Sequence, residues 1–554
     1  MPEEQDDNRL QTNQTNNMRK TAITLLLIIS APLMHAQSAY DGLIFSENNY
    51  EGTARSVAMG NAFTALGGDL GAVTINPAGS AVAGYSQISL TPGLTFSAST
   101  AQGASPYTDG SLPYFERAIK SRMTKFSLPN MGLTINWDTG RKTGLKNITV
   151  GFMANKTADY NQDVYANGMN STTSFMGAMA TEAYGLSAKD LNAKDAYDFM
   201  PSWSSVVAYQ SGMISTFGGY DDKYVGASEL VFDNNEIVLG GPLDQSYGRR
   251  VTGSKFDYVF NVGANISDFV YIGANLGMTS LEYGYDEYFK EAAIDPDDFE
   301  ISFQEGTTYF DRMKYRYSYE ASGSGYYAKF GAILTPGGGF RIGAAIQTPT
   351  INTITERWQQ AAETQFRNSS YNGYASSPEG KYSYTFLAPY RANFGIAYTM
   401  GGLALISADY EICDFSTMEF RSEGYDQDYF EELNADIRKR FGLSHALRTG
   451  AEMRLGAIAV RAGYGFTTSS EKLDGWNREL PVSFRHNLSF GLGYSSKGSF
   501  FTDLAVRRNF TTREYYMPYS DYVFDNEDNI LDPAPELLIS KSDWKVLLTL
   551  GWRF

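Results

Sequence analysis

The last eleven residues, Trp544 to Phe554, alternate in a way that few folds can use. Trp544, Val546, Leu548, Leu550, Trp552 and Phe554 share one parity, and Lys545, Thr549, Gly551 and Arg553 share the other, with Leu547 the exception. On a β-strand, successive side chains point to opposite faces, so one face is apolar with aromatic ends and the other is polar or small. A tilted strand of about ten residues spans the hydrocarbon core of a bilayer, and aromatic rings at its two ends suit the interfaces. An edge strand of a soluble sandwich would show a similar pattern, so the rest of the chain must decide.

Composition points the same way. The 554 residues include 39 Tyr, 34 Phe and 54 Gly, yet the mean hydropathy is only −0.31. Helical membrane proteins need unbroken apolar runs of about 20 residues, and none follows Ala36, whereas alternating strands hide their apolar half from an average. The one long apolar run is Ala22 to Leu33, preceded by Met18-Arg19-Lys20 and followed by Met34-His35-Ala36-Gln37. A basic start, an apolar core and a small residue before a polar segment describe a secretory signal peptide within residues 1–36, with cleavage expected after Ala36. Residues 1–17 are polar and acidic, unlike such a start, so Met18 is expected to be the true first residue and the preceding segment a mis-assigned extension. No Cys lies near the cleavage point, which argues against a lipoprotein, and Cys413, the single cysteine, forms no internal disulfide.

A net charge of −17 argues against a nucleic-acid partner. Acidic residues concentrate at Asp286 to Glu300, Glu423 to Asp436 and Asp521 to Glu536. They read as solvated outer loops, with divalent-cation bridging to lipopolysaccharide as the lesser reading. Asp295-Pro296-Asp297-Asp298 lacks the spacing of a calcium-binding loop, so no metal site and no cofactor are assigned.

Alternating runs bounded by Gly, Asp, Asn and Ser predict roughly fourteen strands, an even number as bacterial barrels require. They are expected near 86–100, 125–137, 147–158, 252–266, 269–285, 312–335, 339–354, 380–400, 402–415, 445–455, 457–468, 483–496, 499–514 and 543–554. Every second connection is a tight turn and the others are long and polar, the longest at about 160–250. That alternation predicts an all-β transmembrane fold, a fourteen-stranded antiparallel outer-membrane β-barrel over residues 86–554 with both termini on the periplasmic side. Phe340, Ile342, Ala344 and Ile346 face one way, with Arg341, Gly343 and Gln347 opposite; Ala392, Phe394, Ile396 and Tyr398 oppose Arg391, Asn393, Gly395 and Thr399. A charge on the lipid face at the midplane costs about 2–4 kcal/mol, so the arginines are expected to face the lumen, where carboxylates such as Asp409 would pair with them. Terminal Phe554 resembles the signal read by the barrel assembly machinery of Gram-negative bacteria.

Before the first strand, residues 37–85 are dominated by small side chains and turn formers and predict a compact plug at the periplasmic mouth. Arg55-Ser56-Val57-Ala58-Met59-Gly60-Asn61-Ala62 followed by Asn76-Pro77-Ala78-Gly79 resembles the hatch of the FadL family of outer-membrane transporters for long-chain fatty acids and other hydrophobic compounds. Leu128-Pro129-Asn130-Met131-Gly132, Val150-Gly151, Arg341 to Pro349 and Ala388 to Tyr398 resemble strands of that family. The loops show no such likeness.

The resemblance implies a monomeric plugged barrel that passes hydrophobic small molecules without an energy source. Capture by outer loops is followed by lateral release through the wall. Carried onto this chain, the hatch motif is Asn76, Pro77, Ala78 and Gly79. The wall opening falls at Pro129, which breaks a strand ladder, and Gly151. The capture groove is expected at Phe175, Met176 and Met179, and Arg341 and Arg391 would hold a carboxylate head group in the lumen. A water-filled general porin and a structural or adhesive surface protein are the alternatives. No enzyme is expected, because His445 sits at a loop edge without a nucleophile motif and His486 shares the lipid-facing parity.

Overall fold

The computed structural model describes residues 38–104, 115–192, 201–232, 236–303, 306–422, 424, 427–472, 484–496, 498–524 and 530–554. The expected signal peptide lies outside them.

Fourteen antiparallel strands form one closed barrel. They are β1 (Gln87–Ala104), β2 (Ile119–Asp138), β3 (Leu145–Asp159), β4 (Leu243–Ile266), β5 (Val270–Ala293), β6 (Gly306–Gly337), β7 (Phe340–Gln347, resumed at Thr350–Phe366), β8 (Gly380–Ala388, resumed at Arg391–Met400), β9 (Ala404–Asp414), β10 (Leu443–Leu455), β11 (Ile458–Thr467), β12 (Arg485–Ser495), β13 (Phe500–Tyr516) and β14 (Glu536–Arg553). Each pairs with its sequence neighbours, and β14 returns to β1 from Gln87↔Arg553 to Ala104↔Glu536, so no edge is left at the closure. Among the described residues, no helix is long and apolar enough to cross a membrane.

The predicted parity holds. Leu276 is 69% exposed beside Asn275 at 1%, and Trp544, Leu548, Trp552 and Phe554 face out while Lys545, Thr549 and Gly551 are buried. Short turns close the periplasmic end. Between β4 and β5, Ser267 and Asp268 both take left-handed φ, 59° and 54°, the twist that suits a two-residue hairpin. Asn265 Oδ1 accepts from the Asp268 amide at 2.9 Å and holds that turn.

Two expectations on strand limits need correction. β4 begins at Leu243 rather than near 252, β5 runs on to Ala293 rather than 285, and β6 begins at Gly306 rather than near 312, because inward alternation continues through Gln245 and Tyr247, Phe289 and Glu291, and Thr308 and Phe310 into the outer cap. β7 and β8 are each interrupted at one height, since Gln347 pairs with Arg391 and Thr350 with Ala388 while Pro349 and Pro389 lie between. Proline has no amide to give to the ladder, so two prolines at one level break both strands together.

Beyond the bilayer, parts of the long loop fold as α-helices at Phe175–Glu182, Ala188–Leu191 and Trp203–Gln210. Phe175, Met176, Val206, Val207 and Met213 pack with Phe289, Phe310 and Phe366 of the extended strands into an apolar core outside the barrel.

Candidate functional site: plug, chamber and an unlaced seam

The plug follows from its small residues. Asp41 and Ser38 form a reciprocal cap at the start of α1 (Ala39–Ser46), and Thr53 accepts from the Ser56 amide to start α2 (Ala54–Ala58). Asn76 caps a short 3-10 turn at Pro77–Val82, taking the Ala78 amide on Oδ1 at 3.1 Å. A segment so poor in long side chains cannot satisfy its own backbone, and buried backbone groups must be paired. The barrel supplies the partners. Asn261 donates to Pro77 O at 3.0 Å, Asn275 to Val73 O at 2.9 Å, Lys329 to Thr74 O at 2.9 Å, and Ser407 to Ala62 O at 2.7 Å. Asp409 accepts both the amide and the hydroxyl of Thr64 at 2.7 Å.

The barrel also makes room. Gly263, Gly273, Gly331, Gly343, Gly450, Gly463 and Gly491 form an inward belt, and a Cβ on any of them would fall against Ser80, Pro77, Asn76, Thr64, Met59, Gly60 or Ala58 of the plug. Glycine is required here by close approach rather than by a turn. Asn76 is the pivot of this contact: its Nδ2 donates to Thr64 O at 2.6 Å and to Ala332 O of β6 at 3.1 Å. The Asn76-Pro77-Ala78-Gly79 segment is therefore buried against β4 to β6.

Above the plug lies a chamber of about 1660 Å³. Phe175, Met179, Tyr283, Tyr285, Tyr315 and Tyr317 line it together with Arg249, Glu287, Arg391, Glu411 and Arg448. It is a space lined by tyrosines and by paired basic and acidic side chains. Arg249 lies over the Tyr285 ring at 4.5 Å and stands 3.7 Å from Glu287.

The two lumen arginines are not free for a head group. Arg391 pairs with Glu411 at 2.9 Å and donates to Ser46 O at 2.5 Å, at the carboxyl end of α1. Cations belong there, since the last carbonyls of a helix lack partners and carry negative potential. Lys255 joins it, donating to Phe45 O at 3.0 Å. Arg341 donates to Leu66 O at 2.7 Å and lines a separate crevice of about 340 Å³ beside Gly67, Gly68 and Tyr85, on the far side of the plug from the chamber. Both arginines are plug anchors; the expected partner Asp409 instead holds Thr64.

The capture trio divides. Met176 is fully buried in the cap core, Phe175 stacks on Phe289 at 5.4 Å with an edge on the chamber, and Met179 faces the chamber. The helix is fixed by Glu291, which accepts from Ser174 Oγ at 2.7 Å and from the Phe175 amide at 2.8 Å. Nearby, Glu229 accepts the Gly226 amide at 2.8 Å, and burial pushes its carboxyl up to about 7.

Pro129 marks a break in the wall. β2 and β3 pair from Asp138↔Asn147 only as far as Asn130↔Asn155, one residue short of Pro129. Beyond it β2 runs on to Ile119 paired with β1 alone, and the β1–β2 register slips between Thr91 and Gly93. β3 loses its alternation, with Met153 to Ala158 all buried, and its freed edge takes plug backbone: the Asn49 amide donates to Thr157 O at 2.7 Å and the Glu51 amide to Lys156 O at 3.0 Å. The next segment, Gln162–Asn170, pairs with β4 and lies alongside β1 and β2 without a ladder to either. The result is an unlaced seam between β2 and β3. Its lower end is level with the lipid-facing pair Leu94 and Phe126, and Asp159, Tyr160 and Gln162 on its inner side also line the chamber. Gly151 lies below the seam, opposite Thr134 in intact ladder, so it is not part of the break. His445 and His486 face outward, each bonded to a tyrosine, Tyr410 and Tyr464, at 2.7 Å; His445 lies within β10 rather than at a loop edge.

Fold and site define a class: a closed, plugged, fourteen-stranded transmembrane barrel with a chamber between plug and outer cap and a seam in its wall. No protein-family model and no curated protein matches the chain. Among solved structures it is similar to a Pseudomonas aeruginosa FadL homologue, at 11% identity and a TM-score of 0.48 over 90% of this chain and 98% of that one. It is also similar to the Ralstonia pickettii toluene transporter TbuX (13%, TM-score 0.45, 91% and 99% covered) and to the CymD monoaromatic hydrocarbon channel (11%, 0.44, 92% and 99%). These are distant likenesses of form, and the functional reading below stands on the chain's own geometry.

Proposed function

We propose that this protein is a passive outer-membrane transporter of hydrophobic small molecules, taken in beneath the outer cap and released sideways through the seam between β2 and β3. The observation that carries this reading is the coincidence of a sealed floor and an open side. The plug closes the axial route through close packing on the glycine belt, while the ladder stops at Asn130–Asn155 beside the chamber. An apolar tail gains about 0.8 kcal/mol per buried CH₂, so lateral exit into lipid spares it a return to water. The mixed lining favours an amphiphile of fatty-acid-like chemistry over a bare hydrocarbon, because the tyrosine hydroxyls and Arg249 offer a polar end its partners. A volume near 1660 Å³ exceeds the 300–1000 Å³ typical of a fitted ligand site, which suits varied cargo.

The test is uptake of a fluorescent long-chain fatty acid into cells carrying the wild-type chain, the Pro129→Val variant, or no barrel, with planar-bilayer conductance in parallel. Barrel-dependent uptake, reduced in Pro129→Val, with almost no ion conductance is expected. Full open-pore conductance of the wild type with no barrel-dependent uptake would establish a general porin instead.

A further inference from the structure

The outer end of the β1–β2 hairpin carries cations that the rest of the molecule leaves unanswered. Paired residues on adjacent strands share a face, so the outward face rises through Leu94↔Phe126, Phe96↔Thr124, Ala98↔Arg122 and Thr100↔Lys120. Aromatic rings come first: Phe96, Phe126 and neighbouring Trp544 are 43%, 66% and 49% exposed. Rings of this kind sit at the membrane interface. Arg122 and Lys120 follow two and four residues beyond Thr124, at about 3.3 Å per residue, which places them just outside the hydrocarbon. Lys125 pairs with inward-facing Thr95 and so belongs to the other face, while Arg508 stands over the Trp544 ring at 5.1 Å.

At other places on the outer rim three arginines have carboxylates: Arg250 with Asp163 at 2.8 Å, Arg316 with Asp286 at 2.5 Å, Arg367 with Asp297 at 2.6 Å. Among the described residues, Lys120 and Arg122 have no such partner. The outward positions of β14 beside them are Ser540, Ser542 and Trp544, and Glu116 is the one exposed acid adjoining the group. On a chain of net charge −17, such a patch attracts an anion rather than completing an internal pair.

We propose that this patch binds the phosphates of an outer-leaflet glycolipid, with Lys120 and Arg122 on the phosphates and Phe96, Phe126 and Trp544 against its acyl chains. Charge and height together select the occupant. Phosphate offers the oxygens that guanidinium and ammonium groups bind best, and a lipid phosphate stands where these side chains stand, directly above an apolar girdle. The acidic loops and bridging cations considered from the sequence are not needed for this contact. The lipid would lie across the mouth of the seam.

Purified protein in detergent is titrated with diphosphoryl lipid A and with its fully dephosphorylated counterpart, binding being read by native mass spectrometry. The double variant Lys120→Gln, Arg122→Gln should lose affinity for the phosphorylated lipid by about twenty-five-fold, on the order of fivefold per cation. The wild type should bind the dephosphorylated lipid no better than the variant does. A control, Lys290→Gln, Arg312→Gln, Lys314→Gln, removes three exposed cations from β5 and β6 and should change affinity less than threefold. Heat-modifiable migration on gels confirms that each barrel is folded. Wild-type affinity in the folded double variant, equal binding of dephosphorylated lipid, an equal loss in the control, or displacement by low millimolar inorganic phosphate would each overturn the proposal.

Discussion

Replacing Gly273 with alanine tests whether the plug is held by close approach. Gly273 lies in β5 between Gly263 and Gly331, and a Cβ built on it stands 2.5 Å from both the carbonyl carbon and oxygen of Pro77 and 2.6 Å from the Ala78 nitrogen. Those are backbone atoms, which cannot turn away as a side chain can. Reaching an ordinary 3.4 Å contact requires the Pro77-Ala78 peptide to retreat by about 0.9 Å, the difference between 3.4 and 2.5. That shift stretches the 3.0 Å bond from Asn261 to Pro77 O beyond any useful length and pulls Asn76 from Ala332 O. Two neutral hydrogen bonds lost at about 1 kcal/mol each, with about 1 kcal/mol of overpacking strain, come to roughly 3 kcal/mol against the docked plug. The barrel itself should survive, because the β4–β5–β6 ladders do not involve the added methyl. A 3 kcal/mol change raises the population of the undocked plug by about a hundredfold. In planar bilayers the variant should therefore show frequent brief openings, and limited proteolysis should cut within residues 38–85. Ala274→Val, on the lipid side of the same strand, should do neither. A folded Gly273→Ala barrel as silent and as protease-resistant as the wild type would refute the idea that glycines admit the plug.

Arg391→Ala should loosen α1 rather than abolish recognition of a head group. Breaking a buried pair costs about 3–5 kcal/mol, so hydrogen exchange across Ala39–Ser46 should accelerate while uptake of a fatty acid and of its methyl ester falls by the same factor; selective loss of the acid would restore the head-group role. The outer cap should respond to pH through Glu229, whose folded carboxyl titrates at about 7 chiefly because burial disfavours its charge, with the Glu291 carboxylate adding to the shift. A raised carboxyl favours the fold when protonated, so its stabilisation is complete below the ordinary value of 4.5 and is lost as pH rises through about 7. Exchange in Phe175–Glu182, corrected for intrinsic rate, should be slower at pH 5.5 than at 8.5, and Glu229→Gln should reduce the difference, with Glu291, also raised to about 7 by burial, carrying the remainder; an unchanged profile in that variant would exclude Glu229 as a cause.

Much of the barrel was legible because period-two alternation is a local property: the outward faces of β7, β8 and β12 could be read residue by residue. The limits of β4 to β6 were not, since tyrosine suits a membrane interface, a chamber wall and a loop core alike. Prolines 349 and 389 were visible, but that they fall at one height is a matter of register between strands, which a single sequence does not state. The plug was legible as a compact small-residue segment. Its dock was only half so: glycine recurs at inward parity on strand after strand, a signal present in the sequence but indistinguishable there from simple smallness. The lumen arginines illustrate the sharper limit. Parity put Arg341 and Arg391 inside, yet only packing shows that each is already bonded to a plug carbonyl.

The plug also constrains the order in which this molecule can be made. The Ala54 amide donates to Thr549 Oγ1 at 2.7 Å across 495 positions of chain, and Glu51 pairs with Lys545. These contacts lie on β14, at the line where it meets β1. Contacts between such distant positions repay their loop entropy only late, and folds built on them form slowly. The N-terminal segment cannot complete its dock until β14 arrives, so β14 closes against β1 as the plug seats. Closing the cylinder and filling it are thus a single event, and a chain that lost its plug would have to find its closing register without that guide.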